Sequence, residues 1–402
     1  MTPTASRERA ERLTDGCEHV ETLDELAARL DEGRPLRVKL GLDPTTADLH
    51  VGHAVVLRLL QRFVDDGHDV TLLIGDFTAR IGDPSGRNAL RPPLTGEQID
   101  ANMKTYAEQA GKVVDLDRVN LRYNREWLAS LTFEQIIKLL SQTTVARMLD
   151  RDDFAKRYAA HVPIALHEFL YPVAQAYDSV ALRADVELGG SDQLFNLLLG
   201  RPYQEHAGQP AQICLTVPLL EGLDGEKKMS KSLGNHIGLT EPPAEMFGKT
   251  MRIPDALLGR YARLAAAWPA PEVAALEAGL RAGTRSPMDE KKRIAEDLVA
   301  LYHGRDAARA ARERFERTVQ RGEVPDDVPE LPAAGDEKIA DLLVAARFAE
   351  SKRAAARLLA EGGVRIDGVP VSDPGARWNG GPAVLQVGSR RFVRVVPSPA
   401  KR

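Results

Sequence analysis

Residues 36–63 read LRVKLGLDPTTADLHVGHAVVLRLLQRF. The first seven residues are mostly apolar and predict a buried strand, after which Asp43-Pro44-Thr45-Thr46 predicts a turn. Apolar residues recur at helical spacing over residues 55–63 and predict a helix. The tetrapeptide His50-Val51-Gly52-His53 therefore lies where a strand passes into a helix.

A strand-to-helix transition of this kind suits phosphate binding. Backbone N–H groups and the helix dipole favour an anion there, and the imidazoles of His50 and His53 add donors without a permanent charge. Gly52 has no side chain, so a flat base can approach the backbone. A single histidine near a helix start is more often a cap or a surface residue, so the motif needs support from elsewhere in the chain.

That support is the pentapeptide Lys228-Met229-Ser230-Lys231-Ser232, which lies about 180 residues downstream between Gly225 and Gly234. Lysines on a small, glycine-flanked loop can swing onto the phosphates of ATP and stabilise the charge that grows on pyrophosphate. Most short lysine clusters are solvated basic loops. The full string, together with the histidine motif, favours the catalytic interpretation.

Length and charge indicate a modular protein. At 402 residues the chain exceeds a single typical core, which predicts two or three domains. The formal net charge is only −4, but residues 336–402 carry 12 Lys or Arg against seven Asp or Glu. A basic C-terminal region on an acidic body predicts one module that contacts phosphates.

Cysteine usage and hydropathy predict a cytoplasmic protein. Cys17 and Cys214 provide neither a disulfide framework nor a metal-ligand cluster, which favours a reducing compartment and a metal-free fold. Residues 1–15 are polar, and no stretch approaches 18 apolar residues. We therefore expect neither secretion nor membrane spanning.

Further apolar runs predict buried strands at residues 70–76, 180–188 and 213–219, with helices between them. This alternation is typical of a parallel α/β sheet that binds ligands at the carboxyl ends of its strands. Residues 238–320 read as helical, with clear examples at 272–280 and 289–301. A Pro-rich, acidic stretch at 324–332 reads as a linker, and two short helices followed by strands are expected beyond it.

Six segments together resemble the bacterial tyrosyl-tRNA synthetases, which are class I aminoacyl-tRNA synthetases. The resemblance spans nearly the whole chain and is to the branch that carries Lys-Met-Ser-Lys-Ser in the catalytic loop. The segments are Asp43-Pro44-Thr45, the histidine motif, Ile81-Gly82-Asp83-Pro84-Ser85-Gly86, Tyr171-Pro172-Val173-Ala174-Gln175-Ala176-Tyr177-Asp178, Gly189-Gly190-Ser191-Asp192-Gln193 and the lysine pentapeptide.

The resemblance implies a fold and an activity. It implies a Rossmann-like catalytic domain at 1–235, a helical anticodon-side domain at 236–322, a Pro-rich linker at 323–335 and an S4-like α+β RNA-binding domain at 336–402. It implies that L-tyrosine is activated with ATP and Mg²⁺ to tyrosyl-adenylate and pyrophosphate, and that tyrosyl is then transferred to the 3′ end of tRNA(Tyr). A homodimer without a tightly bound cofactor or a resident metal is also implied.

Roles for single residues follow from the same resemblance. Asp83, Tyr171 and Gln175 resemble the group that holds the substrate ammonium, and Asp178 resembles the acceptor of the phenolic proton. The predicted catalytic residues are His50, His53, Lys228 and Lys231. The predicted ATP-binding residues are Gly41, Asp43, Thr45, His50, Gly52, His53, Gly190, Asp192, Lys228 and Lys231. The predicted tyrosine-binding residues are Lys39, Asp83, Tyr171, Gln175, Asp178 and Gln193.

Some positions depart from the better-known branch of the family. Lys39 stands where that branch has a tyrosine, Glu187 stands in place of a glutamine, and Arg87 replaces a lysine. The second phenol contact is therefore open, and Lys39 and Glu187 could instead pair across neighbouring strands. Taken singly, Tyr171 could be a core aromatic and Asp178 a helix cap.

The C-terminal pattern resembles an S4-like RNA-binding module, with Lys352, Arg353, Arg357 and Arg365 as predicted RNA contacts. Three alternatives remain at this stage. A tryptophanyl synthetase shares the fold and both signatures but has little use for a phenol acceptor at Asp178. A catalytically inactive, RNA-binding relative is expected to lose Lys231 or His53. A simple nucleotidyltransferase does not need the RNA module.

Overall fold

A computed structural model describes residues 3–45, 48–84, 95–321, 323–324, 328–388 and 391–398. The predictions for Thr46, Ser85, Gly86 and Arg87 lie outside these residues. The chain forms two compact units, one from Met1–Pro242 with Lys249–Tyr302 and one from Pro243–Gly248 with His303–Arg402. The predicted division into four segments, with boundaries after residues 235, 322 and 335, stays a prediction.

The first unit is built on a six-stranded sheet in the order β1-β6-β5-β2-β3-β4. Strands β2 to β6 pair in parallel with their neighbours, and β1 joins β6 antiparallel at one edge. The predicted parallel α/β architecture is therefore confirmed. The strands are β1 His19–Glu21, β2 Arg37–Leu42, β3 Asp69–Ile74, β4 Asn120–Tyr123, β5 Val186–Gly190 and β6 Ile213–Val217.

Eighteen α-helices are present in the described part of the chain. They are α1 Pro3–Thr14, α2 Leu23–Asp31, α3 Val51–Asp65, α4 Thr78–Ile81, α5 Gly96–Ala110, α6 Arg125–Leu128, α7 Phe133–Leu140, α8 Val145–Leu149, α9 Asp152–Ala159, α10 Leu170–Leu182, α11 Leu194–His206, α12 Pro243–Thr250, α13 Leu258–Arg260, α14 Ala270–Arg281, α15 Pro287–His303, α16 Arg305–Phe315, α17 Ile339–Ala345 and α18 Lys352–Ala360. None of them is both long and apolar enough to cross a membrane.

The sequence of α3 explains both its helical conformation and the face that it buries. Its apolar residues recur at helical spacing and are buried, while Arg58, Gln61 and Arg62 lie on a less buried face. The backbone enters the helix at His50, which adopts extended dihedral angles as N-cap. The predicted strand-to-helix transition is thus confirmed, and it places both motif histidines at the carboxyl edge of the sheet.

The strand predicted at 180–188 was wrong in its first half. Helix α10 continues to Leu182, and Arg183 ends it in the left-handed conformation with φ 49°. Strand β5 begins only at Val186. Residues 180–182 are the partly buried or exposed last residues of α10. A short apolar run of this kind does not distinguish helix from strand.

The second unit contains a separate five-stranded sheet in the order β7-β11-β10-β8-β9. Its strands are β7 Glu330–Ala333, β8 Val364–Ile366, β9 Val369–Pro370, β10 Ala383–Val387 and β11 Arg391–Pro397. Helices α17 and α18 pack on a core that includes Leu343, Leu359 and Trp378. They precede strands β8 to β11 in the chain, as the predicted order of two helices followed by strands stated. Strand β7 lies inside the predicted Pro-rich linker and pairs in parallel with β11, which the composition did not indicate.

Candidate active site

A cavity of about 720 Å³ lies at the carboxyl ends of the central strands of the first unit. Its lining comes from the turn after β2, the start of α3, the inner face of α10, the segment after β5 and the lysine pentapeptide. Fifteen of the sixteen residues predicted to bind ATP or tyrosine line it: Gly41, Asp43, Thr45, His50, Gly52, His53, Asp83, Tyr171, Gln175, Asp178, Gly190, Asp192, Gln193, Lys228 and Lys231. Lys39 does not belong to the lining.

The two motif histidines lie against each other at the start of α3. Their ring centroids are 3.8 Å apart, and the backbone N–H of His50 donates to Nδ1 of His53 over 3.2 Å. Neutral His53 therefore carries its proton on Nε2. A Cβ at Gly52 would approach the His50 ring to 3.0 Å, so glycine allows the ring to lie over the backbone there.

Both histidines are held neutral. Burial and, to a smaller extent, the nearby Lys228 together lower the pKa of His53 to about 4. Burial also lowers the pKa of His50 well below its ordinary value, together with His53, His236 and Lys228. Neutral imidazoles can donate to phosphate or ribose oxygens without adding charge.

The lysines of the pentapeptide rest on carboxylates. Nζ of Lys228 lies 2.9 Å from Oδ2 of Asp192, and Nζ of Lys231 contacts Oδ2 of Asp48. All four side chains keep substantial solvent contact, so these pairs are weak and exchangeable. A polyanion in the cavity can therefore compete for both lysines.

Asn235 fixes the base of the lysine loop. Its Oδ1 accepts from the backbone N–H of Ser230 over 2.8 Å, and its Nδ2 donates to Asp224 over 2.8 Å. A Cβ at Gly222 would lie 2.2 Å from the Asn235 side chain, so glycine is required for this packing. Asn235 thus anchors the loop together with backbone hydrogen bonds such as Met229 N–H to the Leu220 carbonyl, while the lysine side chains reach over the cavity.

Asp178 lies at the inner end of the cavity and is 3% exposed. Its Oδ1 accepts from the indole N–H of Trp127 over 2.7 Å, and its Oδ2 accepts from the amide of Asn124 over 3.2 Å. Burial raises the pKa of Asp178 to about 6, while Lys39 and the two hydrogen bonds act in the opposite direction. The site therefore holds an oriented carboxylate acceptor in an otherwise shielded position.

Tyr171 and Asp43 form a second polar contact across the cavity. The Tyr171 hydroxyl donates to Oδ2 of Asp43 over 2.9 Å, and the Thr78 hydroxyl donates to Oδ1 over 2.8 Å. Burial raises the pKa of Asp43 to about 7 against these hydrogen bonds. A Cβ at Gly75 would lie 1.9 Å from Oδ1, so only glycine leaves room for this carboxylate.

Asp83 and Gln193 are held together by Arg151. The guanidinium donates to Oδ1 of Asp83 over 3.1 Å and to Oδ1 of Asn196 over 3.0 Å. The Gln193 amide donates to the other Asp83 oxygen over 2.7 Å. The predicted ammonium and carboxyl contacts thus lie side by side in one network.

Lys39 and Glu187 pair across neighbouring strands, as the sequence allowed. The two residues are opposite each other in the register of β2 and β5, with Nζ 3.1 Å from Oε1. The direct tyrosine contact predicted for Lys39 stays a prediction. Among the described residues, no group of three or more His, Cys, Asp or Glu could hold a metal ion.

Sequence reasoning missed several residues of the site, among them Asn124, Trp127, Arg151 and Gly75. Asn124, Trp127 and Arg151 follow a short edge strand or belong to the helical insertion between β4 and β5, which has no motif-like spacing. Gly75 directly follows strand β3, and a glycine at the end of a predicted strand was the signal that could have identified it.

The predicted RNA contacts lie on the second unit. Lys352, Arg353 and Arg357 are exposed on α18, and Arg365 is exposed on β8. Nζ of Lys352 is 2.7 Å from Asp341, and Arg357 lies 3.8 Å from Glu361. Arg353 and Arg357 are four residues apart and therefore share one face of the helix.

Comparison with known proteins decides the family. The model of tRNA synthetases class I (W and Y) matches residues 31–320, and that of the S4 domain matches residues 337–381. The tyrosine–tRNA ligase of Thermotoga maritima is 50% identical over 380 residues, which are 94% of this chain and 95% of that protein. The chain belongs to the tyrosine–tRNA ligase family. The tyrosine–tRNA ligase of Burkholderia lata is 51% identical to this chain over 376 residues, which are 93% of this chain and 91% of that protein.

Membership in the tyrosine–tRNA ligase family confirms the predicted fold class and the predicted enzyme class, a tyrosine–tRNA ligase. Solved structures agree on the fold. The tyrosyl-tRNA synthetase of Aeropyrum pernix matches with a TM-score of 0.63 at 21% identity over 77% of this chain and 99% of that one. The enzyme of Archaeoglobus fulgidus complexed with L-tyrosine matches with a TM-score of 0.62 at 23% identity over 76% of this chain and 99% of that one.

Proposed function

We propose that the cavity activates L-tyrosine with ATP and then transfers tyrosyl to the 3′ end of tRNA(Tyr). The observation that carries this proposal is the meeting of two elements in one cavity: a phosphate-binding edge formed by His50, His53, Lys228 and Lys231, and a buried acceptor at Asp178. The first suits a polyanion, and the second suits a donor on an otherwise apolar ring.

Tyrosine enters with its phenol toward Asp178, which accepts the phenolic O–H. Asp83, Tyr171 and Gln175 receive the ammonium, and the amide of Gln193 meets the carboxyl group. Phenylalanine lacks the hydroxyl and would leave this buried acceptor unpaired, which costs binding free energy. Sites of this kind discriminate against the analogue by ~10⁴ to 10⁵ without editing, and tyrosyl-tRNA synthetase is itself the standard example of this principle.

ATP lies along the turn after β2 and the start of α3. Gly41, Asp43, Thr45 and Gly52 border the nucleotide, and Gly190 leaves room for the ribose, whose hydroxyls donate to Asp192. Because Asp192 is 2.9 Å from Nζ of Lys228, binding of the ribose frees that lysine for the phosphates. Mg²⁺ accompanies ATP, held by its phosphates.

The first reaction is a displacement at the α-phosphate. A carboxylate oxygen of tyrosine attacks phosphorus, the bond to the bridging oxygen breaks, and pyrophosphate leaves with the electron pair. Lys228 and Lys231 neutralise the charge that develops on the leaving group, and the neutral imidazoles of His50 and His53 donate to phosphate oxygens. In the second reaction a terminal ribose hydroxyl of tRNA attacks the tyrosyl carbonyl as the bond from that carbonyl carbon to the phosphate oxygen breaks. AMP leaves with the electron pair, and the hydroxyl proton passes to its phosphate.

The second unit contributes RNA contacts. Lys352, Arg353, Arg357 and Arg365 present cations on an S4 domain, so they contact tRNA phosphates outside the acceptor end. We place the protein in the cytoplasm, where its two free cysteines stay reduced.

The protein acts as a homodimer through the apolar face of α7. Phe133 and Ile137 expose 77% and 52% of their surface, and Leu140 extends the same face one turn further. Exposed apolar residues at helical spacing are typical of a covered interface. A second copy is the occupant that fits, since homo-oligomers pair self-complementary patches about a twofold axis. Analytical ultracentrifugation of wild type and Phe133→Asp tests this: a wild-type monomer would contradict it.

The direct test of the proposal is charging of tRNA(Tyr) with labelled tyrosine. We expect ester formation with the full chain and a loss of at least about 100-fold with Lys231→Ala, as for removal of one transition-state donor. Charging that survives unchanged in Lys231→Ala would contradict the assigned role of the lysine loop.

A further inference from the structure

An ion pair is buried in the sheet directly beneath the tyrosine half of the cavity. Lys39 of β2 and Glu187 of β5 are 2% and 1% exposed, and Nζ lies 3.1 Å from Oε1. Taking two charges out of water is expensive, and apolar residues of similar size often stabilise a core as well or better. A pair in this place therefore calls for a role other than stability.

Three contacts join the pair to helix α10. Gln175 donates from Nε2 to Oε1 of Glu187 over 3.0 Å, and Ser179 donates to Oε2 over 3.0 Å. Nζ of Lys39 donates to the backbone carbonyl of Gln175 over 3.2 Å. The pair thus holds Gln175 by its side chain and by its backbone at once.

These contacts fix the direction of the Gln175 amide. A carboxylate only accepts hydrogen bonds, so the NH₂ end of the amide must face Glu187. The end of the Gln175 amide that does not face Glu187 is therefore its carbonyl oxygen. Oε1 of Gln175 is shielded from solvent and has no hydrogen-bond partner among the described residues, although Gln175 lines the cavity. A buried acceptor without a partner is costly unless a ligand supplies the donor.

We propose that Lys39 and Glu187 are a positioning pair that turns the Gln175 amide so that its carbonyl oxygen receives the ammonium group of the substrate amino acid. In this proposal the pair acts on the substrate through Gln175, in place of the direct contact predicted for Lys39, which does not belong to the cavity lining. Lys39 supplies the positive charge that a buried carboxylate requires. Its Nζ also holds the backbone carbonyl of Gln175 in place. This inference rests on the proposed function, since it concerns the ammonium of tyrosine in that cavity.

The decisive variant is K39M/E187M, which replaces the whole pair by apolar chains of similar size and leaves no buried charge unpaired. The Gln175 amide then loses the acceptor that fixes its NH₂ end and can reverse to present that end to the ammonium. We expect the KM for L-tyrosine in ATP–pyrophosphate exchange to rise about 10-fold or more, the range for a lost hydrogen bond to a charged group, while the KM for ATP stays within about twofold. Inhibition by 3-(4-hydroxyphenyl)propanoate, which lacks the ammonium, should be unchanged.

Three further variants separate positioning from general damage. Ser179→Ala removes a donor from the same carboxylate without touching Gln175, and should leave the ratio of tyrosine to analogue affinity unchanged. In a Gln175→Met background, K39M/E187M should have no further effect on tyrosine, because the amide through which the pair acts is gone. If K39M/E187M does not fold, K39L/E187M also replaces the pair by apolar chains and carries the same expectation.

The proposal is overturned if K39M/E187M weakens the binding of tyrosine and of the analogue equally, or weakens neither. It is also overturned if the effect persists in full in the Gln175→Met background. Wild-type exchange distinguishes these results from failure of the proposed function: exchange with tyrosine supports that function, whereas its absence refutes the function before any variant is compared.

Discussion

The indole N–H of Trp127 donates to Oδ1 of Asp178 over 2.7 Å, from a four-residue helix that lies 51 residues earlier in the chain. Asn124, at the N-cap of the same helix, donates to the other oxygen. Together they hold the carboxylate in one orientation. The phenol is therefore met by an acceptor that does not have to reorganise.

Replacement of Trp127 by phenylalanine should weaken tyrosine recognition. Trp127→Phe keeps an aromatic ring but removes the donor, so the KM for tyrosine should rise about 10-fold, as expected for a hydrogen bond to a charged group. The measurement is ATP–pyrophosphate exchange at saturating ATP. Trp378→Phe, which removes a buried indole donor in the other unit, should leave this KM unchanged. Equal effects of the two variants would refute a specific role for Trp127.

Tyrosine binding should weaken as the pH falls through about 6. Burial raises the pKa of Asp178 to about 6, so the acceptor is ionised above that pH and protonated below it. The KM for tyrosine, measured from pH 5 to pH 8, should therefore be higher at the acid end. Asp43 also titrates in this range, with a pKa raised by burial to about 7.

The control for the pH profile is Asp178→Asn, which removes one of the two groups. Its KM should be high throughout, and any slope that remains belongs to Asp43. A wild-type KM that does not change between pH 5 and pH 8 would contradict the role of Asp178 as an ionised acceptor.

Asp185 should be important for stability and not for catalysis. It is buried just before β5 and accepts hydrogen bonds from Arg29, Arg34 and Arg37. Burial raises its pKa, but the contacts with Arg34 and Arg37 outweigh burial and hold the pKa well below the ordinary value. Asp185→Asn should lower the free energy of unfolding by about 2–3 kcal/mol, less than for a fully buried pair because the arginines keep some solvent contact. Urea unfolding measures this free energy. The control is Asp152→Asn at an exposed position, which should lower the free energy of unfolding by at most about 1 kcal/mol.

The sign of the pH dependence follows from the lowered pKa. The stabilising contribution of Asp185 is complete above the unfolded-state pKa near 3.8 and is lost as the pH falls toward the lower folded-state pKa. Wild type and Asp185→Asn should therefore converge in stability in strong acid. A constant difference down to that range would show that the carboxylate charge is not the stabilising feature.

Substitution of both Arg353 and Arg357 by alanine should affect transfer and spare activation. Both side chains are exposed on one face of α18. The KM for tRNA should rise, and the dependence of affinity on salt should become shallower by about one unit of slope for each lost phosphate contact. Exchange with tyrosine should be unaffected. An unchanged salt slope would contradict phosphate contact by these two residues.

The sequence was informative where chemistry demands a particular residue type at a particular spacing. The histidine motif, the lysine pentapeptide and Tyr171, Gln175 and Asp178 on α10 all contribute to one cavity, because each is tied to a strand end or a helix face. Trp127, Asn124 and Arg151 could not be predicted, since they reach the site through tertiary packing of short helices. The start of β5 was predicted too early, because the apolar residues at the end of α10 lie only a few positions before the strand.

The most direct test of the account is amino-acid-dependent ATP–pyrophosphate exchange with tyrosine, tryptophan and phenylalanine, with Lys231→Ala as control. We predict exchange with tyrosine alone and its loss in the control. Exchange with tryptophan in preference to tyrosine, or none with any of the three from folded protein that still binds tRNA, would contradict the proposed activation of tyrosine at this cavity.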